Sequence, residues 1–246
     1  MKNRFVIRHI FTGLFALTLL TAAAVADSNF VKPTDIDFKT LLATAPSNDS
    51  EQTKDDIAMV LQLQNSRTPA EIARARSEVR FNVFAFNGVM GPWFNSENLP
   101  VTAMLMRQVS RDTDTIVSQA KEYYGRPRPY VLDPRVMPCL MKERDTSYPS
   151  GHSTVATVLG RMLSEIEPDK RDKLIDRSRQ IGDDRVLGGV HYPSDVAAGR
   201  ILGNAIADKM LANPEFQAAL AKAKAECAAN SVVKTSIQPA TAPSSN

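Results

Sequence analysis

Histidine and cysteine are scarce in this chain, with three of the first and two of the second among 246 residues. That scarcity leaves no His/Cys cluster with metal-ligand spacing, so no metal and no cofactor is expected. Long apolar runs are lacking too. Beyond the N-terminal segment none approaches the ~20 residues of a membrane span, which excludes stable membrane insertion of the remainder. An excess of charge of either sign is also missing. Three of the 30 basic residues (Lys2, Arg4 and Arg8) and none of the 27 acidic ones fall in the first 26 residues, so the rest of the chain is formally neutral. A nucleic-acid partner or an anionic membrane surface therefore has no electrostatic support.

The N-terminal segment accounts for the basic balance. Its three cations precede the apolar stretch "IFTGLFALTLLTAA", and Ala24-Val25-Ala26 is a small-x-small cleavage pattern. Residues 1–26 thus read as a secretory signal peptide, and the mature chain is expected from Asp27 in the periplasm or outside the cell. Residues 27–228 have the length of one catalytic domain. Residues 229–246 are small, polar and Pro-containing, and are expected to form a flexible tail. Cys139 and Cys227 admit one pairing. In an oxidising compartment a disulfide closing so long a loop would stabilise by about 4–5 kcal/mol, but two free thiols are an equal alternative.

Helical periodicity dominates the rest. Seven segments, beginning near Ser50, Thr68, Leu99, Ser153, Pro168, Pro193 and Asn213, space apolar residues on one face between Pro- and Gly-marked turns. The expected class is all-α, a single-domain helical bundle.

Three stretches interrupt that pattern with polar residues. In "KEYYGRPRP", Gly125 and Pro127 predict a helix end near Tyr124, so Lys121 and Arg128 can converge on one anion; a basic pair at a helix end also suits the helix dipole alone. In "YPSGHSTVATVLG", Pro149-Ser150-Gly151 is a turn before a helix. Backbone N–H groups from Ser150 to Ser153 can form an anion nest, Ser150 adds a hydroxyl, and His152 can exchange a proton; a capped helix with an incidental histidine is the plainer alternative. In "DDRVLGGVHYPSD", Pro193 starts a helix, which leaves His191 outside it and Asp195 in its first turn. The carboxylate can then fix the ring's tautomer and sharpen its other nitrogen as a nucleophile, or merely complement the dipole. Together with Arg185, these residues compose a metal-free phosphoryl-transfer site.

Lys121-x6-Arg128-Pro129, Pro149-Ser150-Gly151-His152 and Arg185-x5-His191-x3-Asp195 resemble the three-part signature of the type 2 phosphatidic acid phosphatase and vanadium haloperoxidase superfamily. More closely, residues from about 104 to 226 resemble the secreted bacterial class A nonspecific acid phosphatases. The resemblance implies a helical bundle and hydrolysis of small-molecule phosphomonoesters. His191 would be the nucleophile, Asp195 its orienting group and His152 the acid and base; Lys121, Arg128, Ser150, Gly151 and Arg185 would hold the phosphate. It also implies a rival, a vanadium-dependent haloperoxidase using the same pocket. From a different class comes a non-catalytic phosphate-binding protein, against which both histidines speak. One position departs from the pattern: Asp184 stands where the family usually has Ser. Its carboxylate is expected either to pair with Arg185 and compete with phosphate, or to point away. Physiological substrate and oligomeric state, a homo-oligomer included, stay open.

Overall fold

The computed structural model describes residues 29–235, so the signal-peptide segment and residues 236–246 of the expected tail lie outside it. Seven longer helices make up the framework: α1 (Glu51–Ser66), α2 (Pro69–Ser77), α3 (Pro100–Tyr124), α4 (Gly151–Ile166), α5 (Arg171–Leu187), α6 (Pro193–Ala212) and α7 (Pro214–Thr235). No strand occurs among the described residues, as the all-α expectation required.

The helix starts follow the local chemistry. Ser50 Oγ accepts from Thr53 N at 3.2 Å ahead of α1. Thr68 and Glu71 form a reciprocal capping box around Pro69 at the start of α2. Proline occupies the first turn of α3, α6 and α7, where no amide hydrogen is needed. Gly125 ends α3 with φ of 60°, a left-handed conformation that favours glycine.

Two boundaries differ from the periodic reading. The apolar run after Ser77 does not extend α2: Asn82 Oδ1 accepts from Phe84 N at 2.9 Å and starts a separate 3-10 turn, Val83–Phe86. This break sets Val79 and Phe81 beside His152. At the other end, α7 runs on through residues 229–235, which composition assigns to a tail. Ala228 and Ala229 favour helix, and the next proline is Pro239.

α4 is the central helix, buried along most of its length and packed chiefly against α5 and α6, while α3 packs against α7 and α4. The main core gathers Met106, Ile116, Leu159, Met162, Leu202 and Phe216. A smaller cluster of Ile57, Val60, Val186, Tyr192 and Val196 fastens α1 to α5 and the start of α6. Close approach of α6 to α4 depends on glycine. A Cβ on Gly199 would stand 2.7 Å from the Ser150 carbonyl, and one on Gly203 the same distance from that of Thr154. The resulting contact joins the two helix starts, with Ser150 N donating to the Asp195 carbonyl at 3.0 Å. Cys227 is buried near Thr102, Cys139 lies in a separate cluster, and both are free thiols.

Candidate active site

The three polar stretches converge. His191, at 1% exposure, sits just before α6, and its Nδ1 lies 3.1 Å from Asp195 Oδ2. Its Nε2 is 3.0 Å from Arg128 Nη1. A guanidinium only donates, so Nε2 must carry the lone pair and Nδ1 the proton that Asp195 accepts. The tautomer is thereby fixed from both sides. Burial pushes the ring's pKa well below its ordinary value, and the charges of Arg128, Lys121 and Arg185 push it the same way, keeping the imidazole neutral. Asp195 is fully buried, and burial raises its pKa against the opposing influence of Arg126, Ser147 and the Tyr192 amide. Those three groups donate to its oxygens: Arg126 Nη1 at 2.7 Å, Tyr192 N at 3.0 Å, and Ser147 Oγ.

Around His191 stand three cations, each already engaged by a carboxylate. Lys121 Nζ donates to Asp145 Oδ2 at 2.8 Å and to the Thr146 carbonyl. Arg128 Nη2 donates to both Glu143 and Asp145. Arg185 Nη2 reaches the other oxygen of Glu143, while its Nε and Nη1 are buried with no hydrogen-bond partner among the described residues. Buried donors of that kind call for an acceptor. Burial lowers the pKa of Lys121, and Arg128 lowers it further against the opposing pull of Asp145. Burial pushes the Asp145 carboxyl up, but Lys121 and Arg128 hold it below the usual carboxylate value.

A cavity of about 460 Å³ opens onto this cluster, lined by Glu143, Asp145, Lys121, Gly151, His152 and His191 among others. Arg128 and Arg185 are almost fully buried. His152 touches the cavity but is otherwise enclosed, with its ring beside Phe81 and Nε2 donating to the Val79 carbonyl at 3.2 Å. Nδ1 is then the free basic atom. Burial, with Arg185 as the next cause, pushes its pKa down to about 3.

The expected nest is narrower than Ser150 to Ser153. The Ser150 amide is taken by Asp195, and Ser150 Oγ caps α4 by accepting from Ser153 N at 3.4 Å. The amides of Gly151 and His152, in the first turn of α4, are the remaining donors of the expected nest.

Asp184 points away from the site. It forms a two-pronged pair with Arg74 of α2, from Nε at 2.7 Å and Nη2 at 2.8 Å, and not with Arg185. Adjacent positions on a helix face different directions, which separates the two side chains. Of the two orientations expected for Asp184, the structure shows the one that points away; the carboxylates that pair with Lys121, Arg128 and Arg185 are Glu143 and Asp145. Sequence reasoning misses both, because "MKERDTS" carries no periodicity and mixed charges in a linker usually face water. It misses Arg126 as well, although that residue lies inside "KEYYGRPRP" between the two cations of the motif. Among the described residues no group of three or more His, Cys, Asp or Glu is arranged to hold a metal ion.

Residues 101–212 match the PAP2 superfamily, and this range contains Lys121, Arg128, Ser150, Gly151, His152, Arg185, His191 and Asp195. Over 150 residues the chain is 36% identical to a non-specific acid phosphatase of Providencia stuartii, covering 58% of this chain and 60% of that one. It is 35% identical over 147 residues to a non-specific acid phosphatase of Salmonella typhimurium, covering 57% and 58%. The matches thus span about three fifths of these relatives' length. Among solved structures, a bacterial vanadium-dependent iodoperoxidase superposes with a TM-score of 0.57 at 17% identity, over 73% of this chain and 53% of that one, which shows a shared helical fold.

Proposed function

We propose, for a chain that carries a PAP2 superfamily domain over residues 101–212, an exported acid phosphatase that hydrolyses organic phosphomonoesters through a phosphohistidine and without a metal. The carrying observation is that Lys121, Arg128 and Arg185 converge on the carboxylate oxygens of Glu143 and Asp145 beside the bare Nε2 of His191. Anionic phosphoryl oxygens would suit the same donors. Named non-specific acid phosphatases among the relatives point the same way.

In this reading the substrate's phosphoryl oxygens displace Glu143 and Asp145 from the three cations. Arg128 Nη1 turns from Nε2 of His191 to an oxygen, and the freed lone pair attacks phosphorus. A P–N bond forms as the P–O bond to the leaving group breaks, and a proton from His152 neutralises the departing alkoxide. Positive charge appearing on the His191 ring is met by Asp195 through Nδ1–H. Phosphate binding also helps His152 hold its proton, since a dianion offsets the Arg185 charge that depresses the ring's pKa. His152 then removes a proton from water, which attacks phosphorus and releases His191 and inorganic phosphate.

The test uses an aryl phosphate and a nucleotide, with chelator and with vanadate, beside a bromide-oxidation assay of the vanadate-loaded protein with peroxide. Hydrolysis that survives chelation and falls with vanadate is expected, because protein cations alone stabilise the five-coordinate phosphoryl group. Halide oxidation without phosphomonoesterase activity would replace this reading with the peroxidase one.

A further inference from the structure

Asp195 does not end the chain of contacts behind His191. Arg126, 3% exposed, lies between two buried carboxylates: Nη1 donates to Asp195 Oδ1 at 2.7 Å, and Nη2 to Asp56 Oδ2 at 3.1 Å. Nη2 also donates to Thr53 Oγ1 at 3.0 Å and Nη1 to Ser194 Oγ at 2.7 Å, while Ser194 Oγ donates on to Asp56. The guanidinium stacks on the Tyr192 ring, 3.8 Å from its centroid. Thr53 and Asp56 belong to α1, which precedes the PAP2-matched residues altogether.

Resting on the phosphohistidine reading, we infer that Arg126 and Asp56 are positioning residues for catalysis, the guanidinium holding Asp195 ionised and aimed at Nδ1 of His191 and Asp56 in turn holding and tempering the guanidinium. Without a cation at Oδ1, a carboxyl this deeply buried takes up a proton more readily. A protonated Asp195 can donate to Nδ1, which pushes the ring proton to Nε2 and removes the nucleophilic lone pair. Burial alone would have been served by apolar residues of similar volume. Two carboxylates on one guanidinium leave a net negative charge on the group, so Asp56 weakens the field that Arg126 exerts on Asp195.

The two ends of the relay therefore act in opposite directions. Arg126→Gln is expected to move the acid limb of the kcat/KM profile upward by about one to three pH units, as expected for loss of an opposite charge in contact. It should lower kcat steeply at acidic pH, toward the roughly 10⁴-fold lost when a catalytic imidazole takes the wrong tautomer, with KM little changed. Asp56→Asn, which keeps shape and a hydrogen-bond acceptor, should move the same limb downward by less. The charges of Lys121, Arg128, Arg185 and His152 act on His191, those of Glu143 and Asp145 act on Lys121, and Tyr148 and Tyr192 are electrostatically linked to Asp195. All are common to parent and variants, so the difference isolates the relay. His191 and Asp195 titrate as a coupled pair, and the limb belongs to both.

The experiment combines these profiles with ¹⁵N NMR of the histidine rings, assigned with a His152→Gln protein. The parent should show His191 protonated at Nδ1 and bare at Nε2. Arg126→Gln should mix or reverse that pattern as pH falls, and Asp56→Asn should keep it to lower pH. Unchanged ring signals and limb positions in both variants, or a uniform loss of kcat with no change of profile, would overturn the relay. If Arg126→Gln fails to fold, the direction of the Asp56→Asn shift decides. A parent without phosphomonoesterase activity would overturn the function reading, while the ring signals would still judge the relay.

Discussion

His191 and His152 share a side-chain type, yet their surroundings set different tasks. Nε2 of His191 is bare because a donor-only guanidinium faces it, whereas Nε2 of His152 is committed to the Val79 carbonyl. His152→Ala should accordingly slow both phosphoryl transfer to His191 and hydrolysis of the intermediate, by about 10²- to 10⁴-fold for an alkyl phosphate. A nitrophenyl leaving group needs no proton, so its first step should survive; a stopped-flow burst of nitrophenol followed by a stalled steady state would register this, and an equal loss of both steps would argue against the assignment. At Asp184 the pairing with Arg74 assigns a role in stability, the outcome that goes with a carboxylate pointing away from the site. Asp184→Ser removes a buried two-pronged partner of Arg74 and should cost about 1–3 kcal/mol by denaturant melts. The inhibition constant for inorganic phosphate should stay at the parent's value at pH 5 and at pH 7; tighter phosphate binding at neutral pH would restore Asp184 as a competitor of phosphate.

Among elements, the segment leading into α4 contributes what the helices do not. Helices α3 and α5 carry Lys121 and Arg185, the turns after α3 and before α6 carry Arg128 and His191, and residues 143–147 supply the counter-charges and the Ser147 bond to Asp195. Replacing both acids, Glu143→Gln with Asp145→Asn, removes the internal competitor and should tighten inorganic phosphate binding most at neutral pH. Because Lys121 and Arg128 hold the Asp145 carboxyl below its usual value, the advantage should persist into the acidic range and shrink only as that carboxyl takes up its proton. Phosphate inhibition constants across that range give the check, and a difference independent of pH would mean the carboxylates do not compete. Helix boundaries at Tyr124, Ser150 and Pro193 are legible in the sequence because Gly125, Ser150 and Pro193 each carry a local backbone reason to stop or start a helix. The Glu143–Asp145 pairing and the Asp56–Arg126–Asp195 relay are not, since they join residues far apart in sequence with no shared periodicity. The close fit of α6 on α4 at Gly199 and Gly203 is equally hidden, because a glycine inside a helical pattern does not name the backbone it lets approach.

For the whole molecule, the same burial that keeps the histidines neutral makes stability depend on pH. His152 ordinarily titrates near 6.5 and is pushed to about 3 in the fold, so the unfolded chain binds its proton first as pH falls. That contribution is complete above about 6.5 and is lost as pH falls toward 3. Tm should therefore decline over this window, and the decline should be shallower in His152→Gln; identical slopes would show that the ring is not buried neutral. Inorganic phosphate at a hundredfold excess over its Kd should restore about 2.7 kcal/mol by mass action if only the folded state binds it. The fold class can be read in advance from helical periodicity, and because the three motifs lie at the ends of regular helices, packing of those helices brings most of the eight sequence-selected residues together. The central claim concerns the atom that accepts the phosphoryl group, and rapid-quench trapping with ³²P-labelled substrate addresses it directly. An acid-labile, base-stable phosphoenzyme in the parent, absent from His191→Ala, is the expected result; label retained on the His191→Ala protein, or a parent that turns over with no phosphoenzyme at any time point, would contradict it.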